Sequence, residues 1–403
     1  MALDPALGSR LMDQERRYGS NQYHPMEVVC TRADGIYLWD VDGNRYLDFH
    51  GAHSAVNQGH THTRIAAAMV EQCLRLALPS HAFRDDRRPP FLEKLCTLTG
   101  FDRALLMNSG SEAVETALKA ARRWGTKHKG IEPGMTEILV FTGNSHGCTT
   151  TLISLSDDPV RTEGFGPFTP GFRRVAYGEL TAVQEAVGPR TCAILVEPVQ
   201  GGTGLRIPPR GFLKGLRELC DRQRILLLAD EVQSGLGRTG RFFAFEHEGI
   251  RPDGVVLGKA LSGGFYPVSA FLATQELMAV FTPGSHPSTF GGNPLACAVA
   301  SAALDVLVDE KLVDRAAELG AYFQEQLRSL ESPAIQSLRG LGLWAGLDLD
   351  PEAGGARRIC EALKQQGLLC MASAEHTLRL MPPLILTREQ LDWGLEQLRV
   401  VLG

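Results

Sequence analysis

The sequence predicts an α/β protein, a mainly parallel sheet covered by helices on both faces, with a smaller α+β unit beside it. Three observations carry this. Short apolar runs alternate with stretches of helical periodicity through the middle of the chain, which is the order of βαβ units. From Pro294 onward the pattern changes to small-residue and amphipathic helices around a glycine-rich strand region. The 403 residues are 44% hydrophobic and 22% charged, enough apolar content for a large buried core.

In chain order, the first clear element is Tyr37 to Tyr46, where Asp42-Gly43-Asn44 separates two strand-like runs; an Asp-Gly turn is a strong hairpin signal. Glu112 to Trp124 has helical periodicity and follows the small residues of Asn108-Ser109-Gly110-Ser111. The β-rich runs Glu137 to Phe141, Cys192 to Val196, Ile225 to Ala229 and Gly254 to Leu257 supply the predicted sheet, and Gly211 to Gln223 a covering helix. Helices follow at Pro294 to Val306 and Leu312 to Leu330, then strands around Gly340 to Leu349, and a last helix from Arg388 to Val401. These changes divide the chain into 1–48, a segment joining the small domain; 49–293, the large domain; and 294–403, the small domain.

Charge and leader patterns narrow the function. Lys and Arg total 41 against 46 Asp and Glu, a net charge of -5, with no long run of like charge, so nucleic acid is not an expected partner. Met1-Ala2-Leu3-Asp4 opens no basic and then apolar leader, and no stretch approaches ~20 apolar residues, so the expectation is a cytoplasmic protein without a membrane span. Nine cysteines without a C-x-x-C pair read as reduced, mostly buried thiols, and no metal site is expected.

The chemistry concentrates between Leu226 and Ser269. An apolar strand delivers Asp230-Glu231-Val232-Gln233 to its carboxyl end, where open α/β sheets place ligands. A second strand ends at Gly258-Lys259, 29 residues after Asp230. A carboxylate and a lysine at neighbouring strand ends suit a cofactor with a basic ring nitrogen and an aldehyde. Pyridoxal phosphate is such a cofactor.

The string Ala229-Asp230-Glu231-Val232-Gln233-Ser234-Gly235-Leu236-Gly237-Arg238-Thr239-Gly240, with Leu257-Gly258-Lys259-Ala260-Leu261-Ser262-Gly263-Gly264, closely resembles the class III pyridoxal-phosphate aminotransferases, and within them the ornithine type. The resemblance runs from Tyr18-Gly19-Ser20-Asn21 to Leu378-Arg379-Leu380-Met381-Pro382-Pro383. It implies a fold type I transferase with a seven-stranded sheet in the large, cofactor-binding domain. It also implies amino transfer from ornithine or a related amino acid to a 2-oxo acid such as 2-oxoglutarate, in a homodimer with active sites at the interface.

Carried over by position, Lys259 is the Schiff-base lysine, Asp230 pairs with the ring nitrogen and Gln233 with the ring hydroxyl. Gly110 and Ser111, at a helix N-terminus, bind the phosphate. Ser288 and Thr289 reach the phosphate of the neighbouring subunit. Ser145, His146 and Glu197 also border the cofactor. Arg379 clamps a substrate carboxylate with its guanidinium fork, and Tyr18 and His53 contact substrate.

Four positions depart from the pattern. Ser145 stands where relatives stack an aromatic on the ring, and Cys148 where many carry a basic residue. Gly202 replaces a glutamate that masks the arginine matching Arg379, and His53 replaces a tyrosine that helps select ornithine. These departures predict an exposed, permanently unmasked Arg379 and altered specificity. His53 and His146 become candidate acid-base groups. The competing reading is another pyridoxal-phosphate reaction on the same fold, such as racemisation, decarboxylation, elimination or cyclisation.

Overall fold

A strand buried on both faces must be apolar throughout, and the runs at Thr191–Val196, Leu226–Asp230 and Gly254–Leu257 are buried at every residue. In the computed structural model, which describes residues 6–202 and 204–403, they lie at the centre of a seven-stranded sheet. Met1 to Asp4, on which the expectation of no leader rests, and Thr203 lie outside the described residues.

The sheet order is Arg103–Met107, Ser269–Ala273, Gly254–Leu257, Leu226–Asp230, Thr191–Val196, Glu137–Phe141, Phe172–Val175. Ser269–Ala273 runs antiparallel to both neighbours, and the other four pairings are parallel. Arg103–Met107 therefore points the same way as the parallel strands. Residues following six of the seven strands emerge at one edge, which is where a ligand site forms. Helix Gly110–Lys127 packs across one face of this sheet and helix Phe212–Gln223 lies against Leu226–Asp230.

Two four-stranded sheets flank this core. The first joins Cys30–Asp34, Tyr37–Asp40, Arg45–Asp48 and, from far along the chain, Leu368–Leu369. The Asp-Gly-Asn turn forms as predicted: Asp40 accepts hydrogen bonds from the Asn44 amide at 2.8 Å, the Asp42 amide at 3.0 Å and the Tyr46 hydroxyl at 2.8 Å. The second sheet orders Ile335–Gly340, Ala345–Leu349, Thr377–Leu380 and Met371–Ala372, and Arg379 lies opposite Gly346. Arg238, buried, ties this sheet to the core by donating to the carbonyls of Leu343 at 2.9 Å and Pro382 at 2.6 Å and to Asn57 Oδ1 at 2.6 Å.

Helices Pro294–Asp309, Leu312–Arg328 and Arg388–Leu402 sit within a residue or a turn of their predicted bounds. Asn293 caps the first, its side chain accepting from the Ala296 amide, and Pro294 fills the first turn, where a missing N–H costs nothing. Among the described residues no helix is long and apolar enough to cross a membrane. The cysteines are all free; five are buried and three, Cys30, Cys73 and Cys148, exposed.

Candidate active site

Strand register brings the acidic and basic groups together. Asp230 pairs with Val256 across parallel strands, so Lys259 emerges just beyond it; Val196 pairs with Ala229, which sets Glu197 beside Asp230. Ser145 and His146 follow Glu137–Phe141 at the same edge. Helix Gly110–Lys127 starts there too, capped by Ser109, whose side chain accepts from the Glu112 amide while Glu112 accepts from the Ser109 amide.

Val232 sits at the middle. A Cβ added to Gly110 would lie 3.1 Å from its Cγ1, and one on Gly258 3.3 Å from Cγ1 and 3.6 Å from Gly110 Cα. The helix N-terminus and the turn before Lys259 thus meet around one side chain. Lys259 itself has a left-handed backbone, φ 44°, uncommon for a residue with a side chain. Burial lowers its pKa, against the opposing pull of Asp230 and Glu197, which favours the neutral, nucleophilic amine.

Asp230 is held from two sides. Its Oδ1 accepts from the Val232 amide at 3.1 Å, and its Oδ2 lies 2.7 Å from His146 Nδ1. Burial opposes the imidazolium, but the Asp230 hydrogen bond and the charges of Glu197 and Asp230 outweigh it, so the His146 pKa is raised. Glu197 accepts from the Ser145 amide at 3.0 Å, and burial pushes its pKa up to about 7, with Asp230 adding to the rise. His146 is therefore the partner of Asp230.

Arg379 is reached from the second flanking sheet. Its Nη1 donates to the Gly201 carbonyl at 2.6 Å and its Nη2 lies 2.7 Å from His53 Nδ1. Among the described residues no carboxylate pairs with it, and its Nε has no partner. The expectation of an exposed arginine is corrected: Arg379 is 4% exposed, because the Gly201 carbonyl and His53 close over it. Burial brings its pKa down to about 10.

His53 reaches Arg379 through an unusual turn. Asp48 accepts from the amides of His50 at 2.7 Å and Gly51 at 2.9 Å, and the next residues, Gly51, Ala52, His53 and Ser54, all have positive φ. Burial, with the nearby charges of His50 and Arg379, holds the His53 pKa down at about 3. The ring is neutral near pH 7 and accepts from the guanidinium, so it is no general acid there.

Gly201 and Gly202 are small for steric reasons. A Cβ on Gly201 would lie 2.4 Å from Gln233 Oε1 and 2.6 Å from Trp344; one on Gly202 would lie 2.6 Å from Ser145 Cβ. Gln233 also approaches Met381 Sδ at 3.8 Å. The chain thus gathers Gly110, Ser111, Ser145, His146, Glu197, Asp230, Gln233 and Lys259 at one sheet edge. Ser111 joins through Gly147, whose added Cβ would lie 2.3 Å from Ser111 Oγ.

Three predicted residues stand apart. Tyr18, at the end of helix Leu7–Tyr18, is 78% exposed with Arg17 over its ring and makes no contact with this cluster. Ser288 accepts from the Gly291 amide at 3.0 Å and borders an open cavity of about 550 Å³; Thr289 is exposed. Two residues were missed. Val232 lay unremarked inside the quoted motif, and Arg161, which donates to Ser145 Oγ at 2.8 Å, carried no signal in its own stretch.

Comparison with known proteins identifies the family. The family model for aminotransferase class-III matches residues 18–402. An ornithine aminotransferase of Bordetella pertussis is 53% identical over 400 residues, covering 99% of this chain and 97% of its own. Ornithine aminotransferase 2 of Staphylococcus aureus is 49% identical over 392 residues, covering 97% and 98%. Among solved structures, an ornithine aminotransferase from Toxoplasma gondii, whose active site holds partially occupied PLP, superposes with a TM-score of 0.97 at 40% identity, covering 99% of this chain and 95% of that one. An acetylornithine aminotransferase from Elizabethkingia anophelis gives 0.90 at 42%, covering 98% of each. With a family match over nearly its whole length, the chain belongs to the class III aminotransferases, pyridoxal-phosphate-dependent enzymes of the α/β fold described above, and resembles the ornithine aminotransferases among them.

Proposed function

We propose that the chain transfers an amino group from an amino acid, ornithine or a relative of it, to a 2-oxo acid such as 2-oxoglutarate. The single observation that carries this is Lys259 and Asp230 at adjacent parallel strand ends, with an Arg379 that among the described residues has no carboxylate partner and faces the same glycine pair as Gln233. The donor set fits pyridoxal phosphate: a buried carboxylate for the ring nitrogen, a lysine of lowered pKa for the aldehyde, and free amides at a helix start for the dianion. When bound, the cofactor supplies that aldehyde and an electron-accepting ring.

In this reading Asp230, steadied by His146 and the Val232 amide, holds the proton on the ring nitrogen. Gln233 bonds the ring hydroxyl. The amides of Gly110 and Ser111 bind the phosphate, and Ser288 and Thr289 serve the same group in a neighbouring copy of the chain. Lys259 moves the proton at the substrate carbon. Arg379 binds the carboxylate beside that carbon and fixes which hydrogen faces Lys259. His53 orients Arg379, and Tyr18 contributes only if substrate draws its helix inward. The proposal includes a cytoplasmic homodimer, residues 49–293 as the cofactor-binding domain, and 1–48 joined to 294–403.

The test is a single half-reaction. Purified holoenzyme is mixed with L-ornithine and then with other amino acids while cofactor absorbance is followed and products are identified by mass spectrometry. Loss of the visible band with release of an oxo acid or semialdehyde, restored by 2-oxoglutarate, is the expected result. Product formed without amino transfer would instead support the second reading, α-carbon chemistry of another kind, which the departures at Ser145 and Gly202 favour. Lys259→Ala is expected to lose the visible band; its persistence would sink the site assignment.

A further inference from the structure

Two of the departures in the site touch each other. The position of a Cβ on Gly202 is 2.6 Å from Ser145 Cβ and 3.2 Å from its hydroxyl. With little side chain at either position, a third residue enters. Arg161, in the short helix Pro159–Thr162, donates from Nη1 to Ser145 Oγ at 2.8 Å, and its Nη2 lies 3.9 Å from that Gly202 Cβ position. Its Nε pairs with Asp158 at 3.3 Å, which holds the side chain in place and offsets part of its charge. Arg161 remains one-third exposed, and among the described residues its Nη2 has no hydrogen-bond or ion-pair partner.

The same glycine pair carries Arg379 on its other residue, through Nη1 and the Gly201 carbonyl. Successive Cα atoms are ~3.8 Å apart, so two guanidinium groups flank one peptide unit. Among the described residues no carboxylate pairs with Arg379, and its Nε is buried and unpartnered. On the Ser145 side, Asp158 already pairs with Arg161 Nε, and Glu197 accepts from the Ser145 amide with its pKa pushed up to about 7 by burial. A ligand lying between the arginines therefore meets two cations. A carboxylate remote from the reacting carbon would be held there.

We propose that Arg161 is a specificity-determining residue that binds the distal carboxylate of a dicarboxylic amino acid or 2-oxo acid, while Arg379 takes the carboxylate next to the reacting carbon. This rests on the aminotransferase reading above. Arg161 is a substrate-binding group with no proton to exchange at the reacting carbon.

The test compares 2-oxoglutarate with pyruvate, which has no distal carboxylate, as acceptors for the amino-loaded enzyme, in wild type and Arg161→Gln. The variant is expected to lose about 10- to 100-fold in kcat/KM for 2-oxoglutarate, mostly in KM, and to keep pyruvate within about twofold. Arg161→Lys keeps the charge without the fork and is expected to fall between. Binding to the cofactor-loaded resting enzyme gives a readout free of turnover: glutarate should weaken by the same factor in Arg161→Gln, and butyrate should not change. Equal losses for both acceptors, or an unchanged glutarate affinity, would overturn the proposal. Should wild type accept neither 2-oxo acid, the aminotransferase reading itself fails. Glutarate still tests Arg161 in that case.

Discussion

His146 Nδ1 lies 2.7 Å from Asp230 Oδ2, with both side chains almost wholly withdrawn from water and Glu197 close enough to raise the pKa of His146. His146 and Glu197 form one buried titrating pair beside Asp230. A raised histidine contributes stability that is fully present below its unfolded value, near 6.5, and is lost as pH rises through its folded value. Glu197 acts with the same sign: its contribution is complete below 4.5 and lost as pH rises through about 7. The cofactor-free protein should therefore weaken as pH rises from about 4.5 to above 7. Glu197→Gln keeps an oxygen for the Ser145 amide but removes the buried charge. It is expected to flatten this decline and to gain roughly 3 kcal/mol at pH 8 relative to pH 4.5. Urea unfolding across that range checks it, and parallel wild-type and variant profiles would refute it.

Arg379 offers a second stability test with the opposite functional consequence. A buried guanidinium without a carboxylate destabilises the fold at any pH below its lowered pKa of about 10. Arg379→Met fills similar space without charge. The lost bonds to Gly201 and His53 limit the gain, which we expect at roughly 1–3 kcal/mol in the cofactor-free protein. The same variant should raise KM for α-amino acids about 100-fold. A variant that is less stable than wild type would mean that the guanidinium is satisfied by groups inside the protein.

The meeting of Ser145 and Gly202 sets a limit on restoring larger side chains. Gly202→Ala places its Cβ 2.6 Å from Ser145 Cβ, inside any normal contact, and should cost roughly 1–3 kcal/mol by overpacking. Ser145→Gly removes the obstructing atom. The pair should be non-additive, with the double variant recovering at least ~1 kcal/mol relative to the sum of the single changes. Thermal unfolding of the four proteins measures this. Strict additivity would show that the loop carrying Gly202 moves away freely.

Much of this architecture was legible because its physics is local. Strands buried on both faces must be apolar runs, so Leu226–Asp230 and Gly254–Leu257 announced themselves, and their ends located Asp230 and Lys259. Phe172–Val175 went unread because it is an edge strand whose two arginines break the apolar pattern. Nothing in the composition of Arg103–Met107 and Ser269–Ala273 says that they pair antiparallel with each other far along the chain. Arg379 was read as a clamp but also as exposed, since the covering groups, His53 and the Gly201 carbonyl, are 326 and 178 residues away. Arg161 sits 16 residues from Ser145 in a stretch without periodicity, so only the folded loop brings it there.

The last prediction concerns the neighbouring copy. Phe290 follows Ser288 and Thr289 and is 50% exposed, an apolar ring presented beside the cavity that Ser288 borders with Arg88, Leu106 and His286. Such a side chain gains about 1.5–3 kcal/mol when covered. If Ser288 and Thr289 complete a partner's phosphate site, covering Phe290 and binding cofactor are one event. Phe290→Asp would bury a charge at that contact. It is expected to shift the protein from dimer toward monomer in sedimentation at micromolar concentration and to weaken cofactor retention at least tenfold, while leaving helix Pro294–Asp309 intact, because its cap is made by Asn293. A Phe290→Asp protein that remains dimeric with full cofactor retention would place the subunit contact elsewhere on the surface.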